Sequence, residues 1–284
     1  MNTIRLAIST CPNDTYAFHA LMNRLVDWRG LNFEFQLLDI QQLNDGLFAN
    51  RFDVAKASFH AAALLADQTV VLPSGSAIGF GVGPLLLAAK PDTAPDSLAA
   101  SMTLCPGTHT TATMLFRIFY PNAIESGAAK IEQVLFSEIM PRLQQGRADF
   151  GVCIHEGRFT WQENGLYRVE DLGTRWETEM KSPLPLGGVL ASRNLTDETT
   201  AQVQQCIQDS IQYANAHPES TLPTMRQHAA EFDDDVLMKH VELYVNEWTV
   251  DLGEVGRSAL SFLAAAAKRA KLVSEDAGDI EVFG

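Results

Sequence analysis

The sequence predicts an α/β protein whose two lobes close on each other about a hinge. Three observations support this class. Short apolar runs alternate with stretches whose apolar residues recur at helical spacing, the pattern of strands and covering helices. Two extended stretches, near 84–91 and 182–191, read as crossings between lobes. The first is approached through residues 74–84, where Gly75, Gly79, Gly81 and Gly83 suggest a flexible loop. The lobes expected from these crossings are 1–88 together with 189–284, and 89–188.

In chain order, residues 3–9 form the first strand. Pro12 suits the first turn of a helix and Asp14 its positive end, so a helix is expected to about Arg29, stopped by Gly30. Residues 31–38 are a strand with Phe33 and Phe35 on one face, and Ile40, Leu43 and Leu47 mark the next helix. The strand 53–58 turns through Phe59 and His60 into an alanine-rich helix, 61–66. His60 has no base-like company and reads as structural. Strands follow at 69–73 and 84–89, then a linker from Pro91 to Pro95. In the second lobe, 101–105 is a strand, Pro106-Gly107 a turn, and 108–120 a helix burying Leu115, Ile118 and Phe119. A strand at 131–136, a helix at 137–145 ended by Gly146 and a strand at 149–154 complete it. Trp176 falls in a helical turn, 183–191 is the returning strand, and the chain is helical from Thr196. The aromatics Tyr213, Phe232, Tyr244, Trp248 and Phe262 read as core of those helices.

Composition narrows the function classes. With 46% hydrophobic and 20% charged residues among 284, disorder is excluded. Twenty-one basic against 35 acidic residues give a formal charge of -14, which disfavours nucleic acid and anionic membrane as partners. A small anionic substrate is still compatible, because a cleft can carry a local field of opposite sign. The four cysteines, Cys11, Cys105, Cys153 and Cys206, lack metal-ligand spacing, so no metal is expected. They read as reduced thiols. With no signal-peptide core after Met1 and no membrane span, a cytoplasmic protein is expected. The glycines at 74–84 lack the dinucleotide spacing, and no Walker lysine follows them.

The chemistry is expected around residues 151–161. The run Asp149-Phe-Gly-Val-Cys-Ile154 resembles a strand buried on both faces, and His155, Glu156, Gly157 and Arg158 follow at once. Ligands bind beyond the carboxyl ends of strands in open α/β sheets, and imidazole titrates nearest neutrality. Taken alone, a single strand-end histidine more often donates to a backbone carbonyl. Arg158, the nearest cation, reads either as a substrate contact or as a bridge to Glu156 or Asp149. The helix start at Cys11, Pro12 and Asn13 offers free amides for an anion, or is a plain strand-to-helix turn. Lys56, costly inside an apolar strand, faces either a ligand or the surface; Ser58 ends that strand. Thr108, Thr110 and Thr111 crowd a helix start, where capping explains one and an oxyanion cradle would use all three.

A family resemblance joins these pieces. Ser9-Thr-Cys-Pro-Asn-Asp-Thr15, Asp53-Val-Ala-Lys-Ala-Ser58, Ser74-Gly-Ser-Ala77 with Gly81-Val-Gly-Pro84, Pro106-Gly107 with Thr110-Thr-Ala112, Ile154-His-Glu156 with Arg158-Phe-Thr160, and Pro185-Leu-Gly-Gly188 fall in order along the chain. Together they resemble the 1,4-dihydroxy-6-naphthoate synthases of the futalosine route to menaquinone. Thr10 departs from a common proline and Gly157 from a larger polar residue. The resemblance implies a periplasmic-binding-protein-like fold of type II and a carbon–carbon lyase. It would convert cyclic dehypoxanthinylfutalosine to 1,4-dihydroxy-6-naphthoate with release of dihydroxyacetone, without a cofactor. His155 would be the general base, and the threonine turn would help hold the substrate. Chorismate dehydratase of the same pathway and a non-catalytic cytoplasmic solute-binding protein are the rival readings.

Overall fold

The structure, a computed structural model, describes residues 3–94, 98, 101–122, 129–155, 157–229 and 233–284. Pro95, Glu156 and Phe232, singled out above, lie outside the described residues. The strands are β1 (Thr3–Ser9), β2 (Asn32–Leu38), β3 (Val54–Ser58), β4 (Thr69–Val71), β5 (Ala77–Gly79), β6 (Leu85–Ala88), β7 (Met102–Cys105), β8 (Lys130–Gln133), β9 (Phe150–Cys153), β10 (Tyr167–Asp171) and β11 (Leu184–Ser192). They form two sheets. A six-stranded sheet runs β2-β1-β3-β11-β4 with β5 also paired to β11, and a five-stranded sheet runs β10-β6-β9-β7-β8.

In the first sheet β1 lies parallel to both β2 and β3, while β11 is antiparallel to β3, β4 and β5. In the second, β7 is parallel to β8 and β9, and β6 is antiparallel to β9 and β10. The strand expected at 84–89 is β6, and it hydrogen-bonds entirely within the second sheet. β11 belongs to the first sheet along its paired length. The chain therefore passes between the sheets at 80–84 and again at 172–183, a segment that includes the helix Leu172–Met180. At the first change Gly83 lies flat against Gly173, the second residue of the helix Leu172–Met180. A Cβ on Gly83 would sit 2.2 Å from the Gly173 Cα, so the two backbones touch where a side chain would force them apart.

Several local expectations shift. The helix expected to reach Arg29 is two short pieces, Pro12–Ala17 and His19–Met22. Arg24, at φ 55°, turns left-handed after Asn23. The Arg24 amide then bonds to the Leu21 carbonyl and the Leu25 amide to that of Ala20, a Schellman closure without glycine. The helix expected at 108–120 starts at Thr111, because the Thr110 side chain caps it by accepting from the Thr113 amide. The alanine-rich helix spans Phe59–Leu64, two residues ahead of expectation. β5 lies within the segment read as a loop, and β10 had no sequence signal. Phe262, read as core, is 51% exposed.

One apolar cluster contains residues of both sheets, among them Ala55 and Leu190 of the first and Leu86, Phe150 and Val152 of the second. Trp176 is the largest fully buried side chain in it. Its indole Nε1 has no hydrogen-bond partner among the described residues. Trp176→Ala should cost about 3–5 kcal/mol, the usual loss for a buried large aromatic. Trp176→Phe should cost less, because the unpaired N–H leaves with the lost volume. Urea denaturation of both variants checks this; a phenylalanine variant as unstable as the alanine one would contradict it.

Candidate active site

The two sheets bring their strand ends together over a cleft of about 650 Å³, measured with its solvent-filled mouth. Ser9 at the end of β1 and Lys56 and Ser58 in β3 face it, together with Asn13 and Asp14 of the first helix. The helix start at Thr110, Thr111 and Ala112, and Ile154 and His155 after β9, contribute from the other sheet's elements. His240 and Tyr244 come from the helix Asp234–Tyr244.

Lys56 is 5% exposed, and a charge so placed requires a partner. It finds Asp14: Lys56 Nζ lies 2.7 Å from Asp14 Oδ1 and donates to the Gly75 carbonyl at 2.8 Å. Asp14 also accepts from Ser9 Oγ at 2.6 Å and Asn13 Nδ2 at 3.0 Å. Asp14 thus ties the ends of β1 and β3 to the first helix.

His155 sits left-handed at φ 55°, just past β9. Histidine enters that region more readily than most side chains. Its Nδ1 is 3.3 Å from Cys11 Sγ, and its ring meets that of Phe136 edge to face at 4.7 Å between centroids. Burial lowers its pKa to about 4; Asp14 opposes that shift and Lys56 adds to it. The imidazole is therefore neutral at physiological pH.

The threonines come to the cleft with their hydroxyls turned away. Thr111 Oγ1 donates to the Leu186 carbonyl at 2.7 Å and accepts from the His60 amide. Thr110 Oγ1 donates to the Gly107 carbonyl at 2.8 Å while capping its helix. The helix leaves the amides of Thr111 and Ala112 without an intrahelical acceptor. Ser58 Oγ accepts from Asn44 Nδ2 at 3.2 Å, which leaves its own proton to be donated.

Of the residues expected at the site, His155, Asn13, Lys56, Ser58, Thr110 and Thr111 line the cleft. Cys11 touches His155 from behind, and Pro12 starts its helix. Thr108 is exposed on the preceding turn. Arg158 is committed elsewhere: it donates to the Gly83 carbonyl and pairs with Asp171, each at 2.7 Å. The expected bridge to Asp149 is therefore replaced by one to Asp171, and the alternative partner Glu156 lies outside the described residues. Among the described residues no cluster of ligands suited to a metal occurs, and no helix is long and apolar enough to cross a membrane. Sequence reasoning missed Asn44, Ser9 and His240; Tyr244, read as core, is buried in the main apolar cluster and also reaches the cleft wall.

The sequence pattern of a family described as menaquinone biosynthesis matches residues 4–269. The chain belongs to that family. Among curated members, it is 39% identical to a 1,4-dihydroxy-6-naphthoate synthase of Thermus thermophilus over 94% of this chain and 95% of that one. A protein of the same name from Streptomyces coelicolor is 36% identical, over 96% of this chain and 95% of its own. A crystal structure of an Archaeoglobus fulgidus protein superposes with a TM-score of 0.88 at 28% identity, covering 95% of this chain and 98% of the other. The periplasmic aliphatic sulphonate binding protein SsuA of Escherichia coli, at 12% identity and TM-score 0.65, covers 99% of this chain and 94% of its own. This menaquinone-biosynthesis protein therefore has a periplasmic-binding-protein-like fold.

Two predictions follow from the electrostatics of this family member. Asp14→Asn leaves the Lys56 ammonium buried beside an uncharged group and should cost about 3–5 kcal/mol, whereas Asp14→Asn with Lys56→Met should be milder. Urea unfolding of the single and double variants measures the difference. His60 and His155 are lowered to about 4 and His240 to about 3, chiefly by burial. An unfolded histidine protonates near pH 6.5, so below that pH the unfolded chain takes up protons the folded one refuses. Stability should be independent of these groups above pH 6.5 and fall as the pH drops toward 4. His240→Phe should flatten the urea midpoint's dependence between pH 6.5 and 5; an unaltered slope would show that His240 titrates normally.

Proposed function

We propose that this chain is a 1,4-dihydroxy-6-naphthoate synthase: a carbon–carbon lyase that converts cyclic dehypoxanthinylfutalosine to the naphthoate and dihydroxyacetone. The observation that carries this reading is a neutral imidazole, His155, sharing one cleft with a helix start whose amides are free. Near full-length similarity to two proteins of that name supports it. The substrate carboxylate accepts from the Thr111 and Ala112 amides and from the Ser58 hydroxyl, at the positive end of the helix Thr111–Phe119. The threonine hydroxyls hold the turn instead of the anion. With His155 Nδ1–H donating to the Cys11 sulfur, the Nε2 lone pair removes the substrate proton that begins the cleavage. Aromatisation drives the reaction and no hydride moves, so the chemistry calls for no redox cofactor.

The likeness to SsuA supports a second reading, binding without turnover, which one experiment separates from the first. The pure protein incubated with cyclic dehypoxanthinylfutalosine should release a species with the mass of 1,4-dihydroxy-6-naphthoate; binding without release would favour the solute-binding reading. Chorismate incubated in parallel tests the sister dehydratase activity. His155→Asn should retain binding and lose about 10²- to 10⁴-fold in turnover, the usual contribution of a positioned base. Because free His155 titrates near pH 4, kcat/KM of the wild type should be flat with respect to this group above pH 6 and fall only toward pH 4. An acid limb that persists in the asparagine variant would assign the base to another group.

A further inference from the structure

We propose that His240 is a ligand-binding residue of this cleft and that it receives a hydroxyl group of the ligand, a role that rests on the reading of the cleft given above. His240 lies on the helix Asp234–Tyr244, lines the cleft and is 2% exposed. Neither Nδ1 nor Nε2 has a hydrogen-bond partner among the described residues. Buried polar atoms are nearly always paired, so two orphaned nitrogens on one ring at the wall of a cleft mark a position that a ligand completes.

The surroundings select the ligand's chemistry. The rings of Tyr244, Phe159 and His155 stand 4.5, 6.3 and 6.5 Å from that of His240, centroid to centroid. Burial and the nearby His155 keep the imidazole neutral, with one N–H to donate and one lone pair to fill. A carboxylate only accepts, so it offers no donor to that lone pair. A hydroxyl can donate to that lone pair or accept from the N–H. The carboxylate has the free amides at Thr111 and Ala112, so the two polar ends of a hydroxylated aromatic acid are read by different elements.

Two probes isolate the hydroxyl contact: 1,4-dihydroxy-6-naphthoate, and 2-naphthoate, which keeps the ring and carboxylate but lacks both hydroxyls. Calorimetric titration without oxygen should show the wild type preferring the dihydroxy compound by about tenfold, the size of one hydrogen bond at a buried site. His240→Phe, which keeps a ring in place, should lose that preference while binding 2-naphthoate as before; His240→Leu carries the same test if the larger ring does not fit. Ser58→Ala, at the carboxylate end, should weaken both probes alike and leave the preference intact. A folded His240 variant that keeps the wild-type preference overturns the proposal, and so does one that weakens both probes equally. A wild type that binds neither probe overturns the synthase reading and this assignment with it, whereas retained preference in the variants overturns only the assignment.

Discussion

The buried pair of Lys56 and Asp14 is the constraint on which the cleft depends. Two charges taken out of water hold each other only if the backbone around them fixes their separation, and each additional hydrogen bond narrows that tolerance. Here the bonds come from Ser9, Asn13 and the Gly75 carbonyl, so one carboxylate and one ammonium join β1, the first helix, β3 and the loop before β5. The two charges also act on His155 in opposite senses, which leaves burial to set its protonation. Structural and chemical demands thus meet in the same few atoms.

Much of this was legible in the sequence. Alternation of apolar runs located most strands, and the cost of burying an ammonium made Lys56 a residue that had to be explained. What the sequence could not show was the identity of its partner, because Asp14 lies on a separate element and its position at a helix start is explained equally well by the helix dipole. The place of His240 at the cleft, and of the core residue Tyr244 beside it, escaped for a related reason. Helical spacing marks the face that turns inward but does not distinguish a packed core from the wall of a cleft. β10, Tyr-Arg-Val-Glu-Asp, reads as polar chain because it ends its sheet, and terminal strands carry charge where central ones cannot. The early end of the first helical segment was hidden by Arg24, which occupies the left-handed closing position usually marked by glycine.

The threonine turn illustrates how residue type and residue role separate. Three hydroxyls at a helix start suggested an anion cradle built from side chains. In the folded chain two of them serve the scaffold, tying the helix start to Gly107 and to Leu186 in β11, while the third is exposed. What the turn leaves without an intrahelical acceptor is backbone, the amides of Thr111 and Ala112. Amides fixed at the head of a helix need no rotamer ordering when a ligand arrives, an advantage over flexible hydroxyls. Leu186 belongs to the first sheet and Thr111 to an element beside the second, so this bond also links the two sides of the cleft.

The position of β11 has a consequence for how the chain is made. Its residues are synthesised after every strand of the second sheet, yet it lies between β3 and β4, which are synthesised before that sheet begins. The second sheet is continuous in sequence from β6 to β10 and can assemble from neighbouring contacts as it leaves the ribosome. The first cannot. Until Ser192 has emerged, β3 and β4 have open edges facing a gap of one strand, and an unpaired edge is the site at which nascent chains associate wrongly. The pairings that complete the first sheet, β11 with β3 and with β4, are thus contacts of long sequence separation, the kind that closes late for entropic reasons.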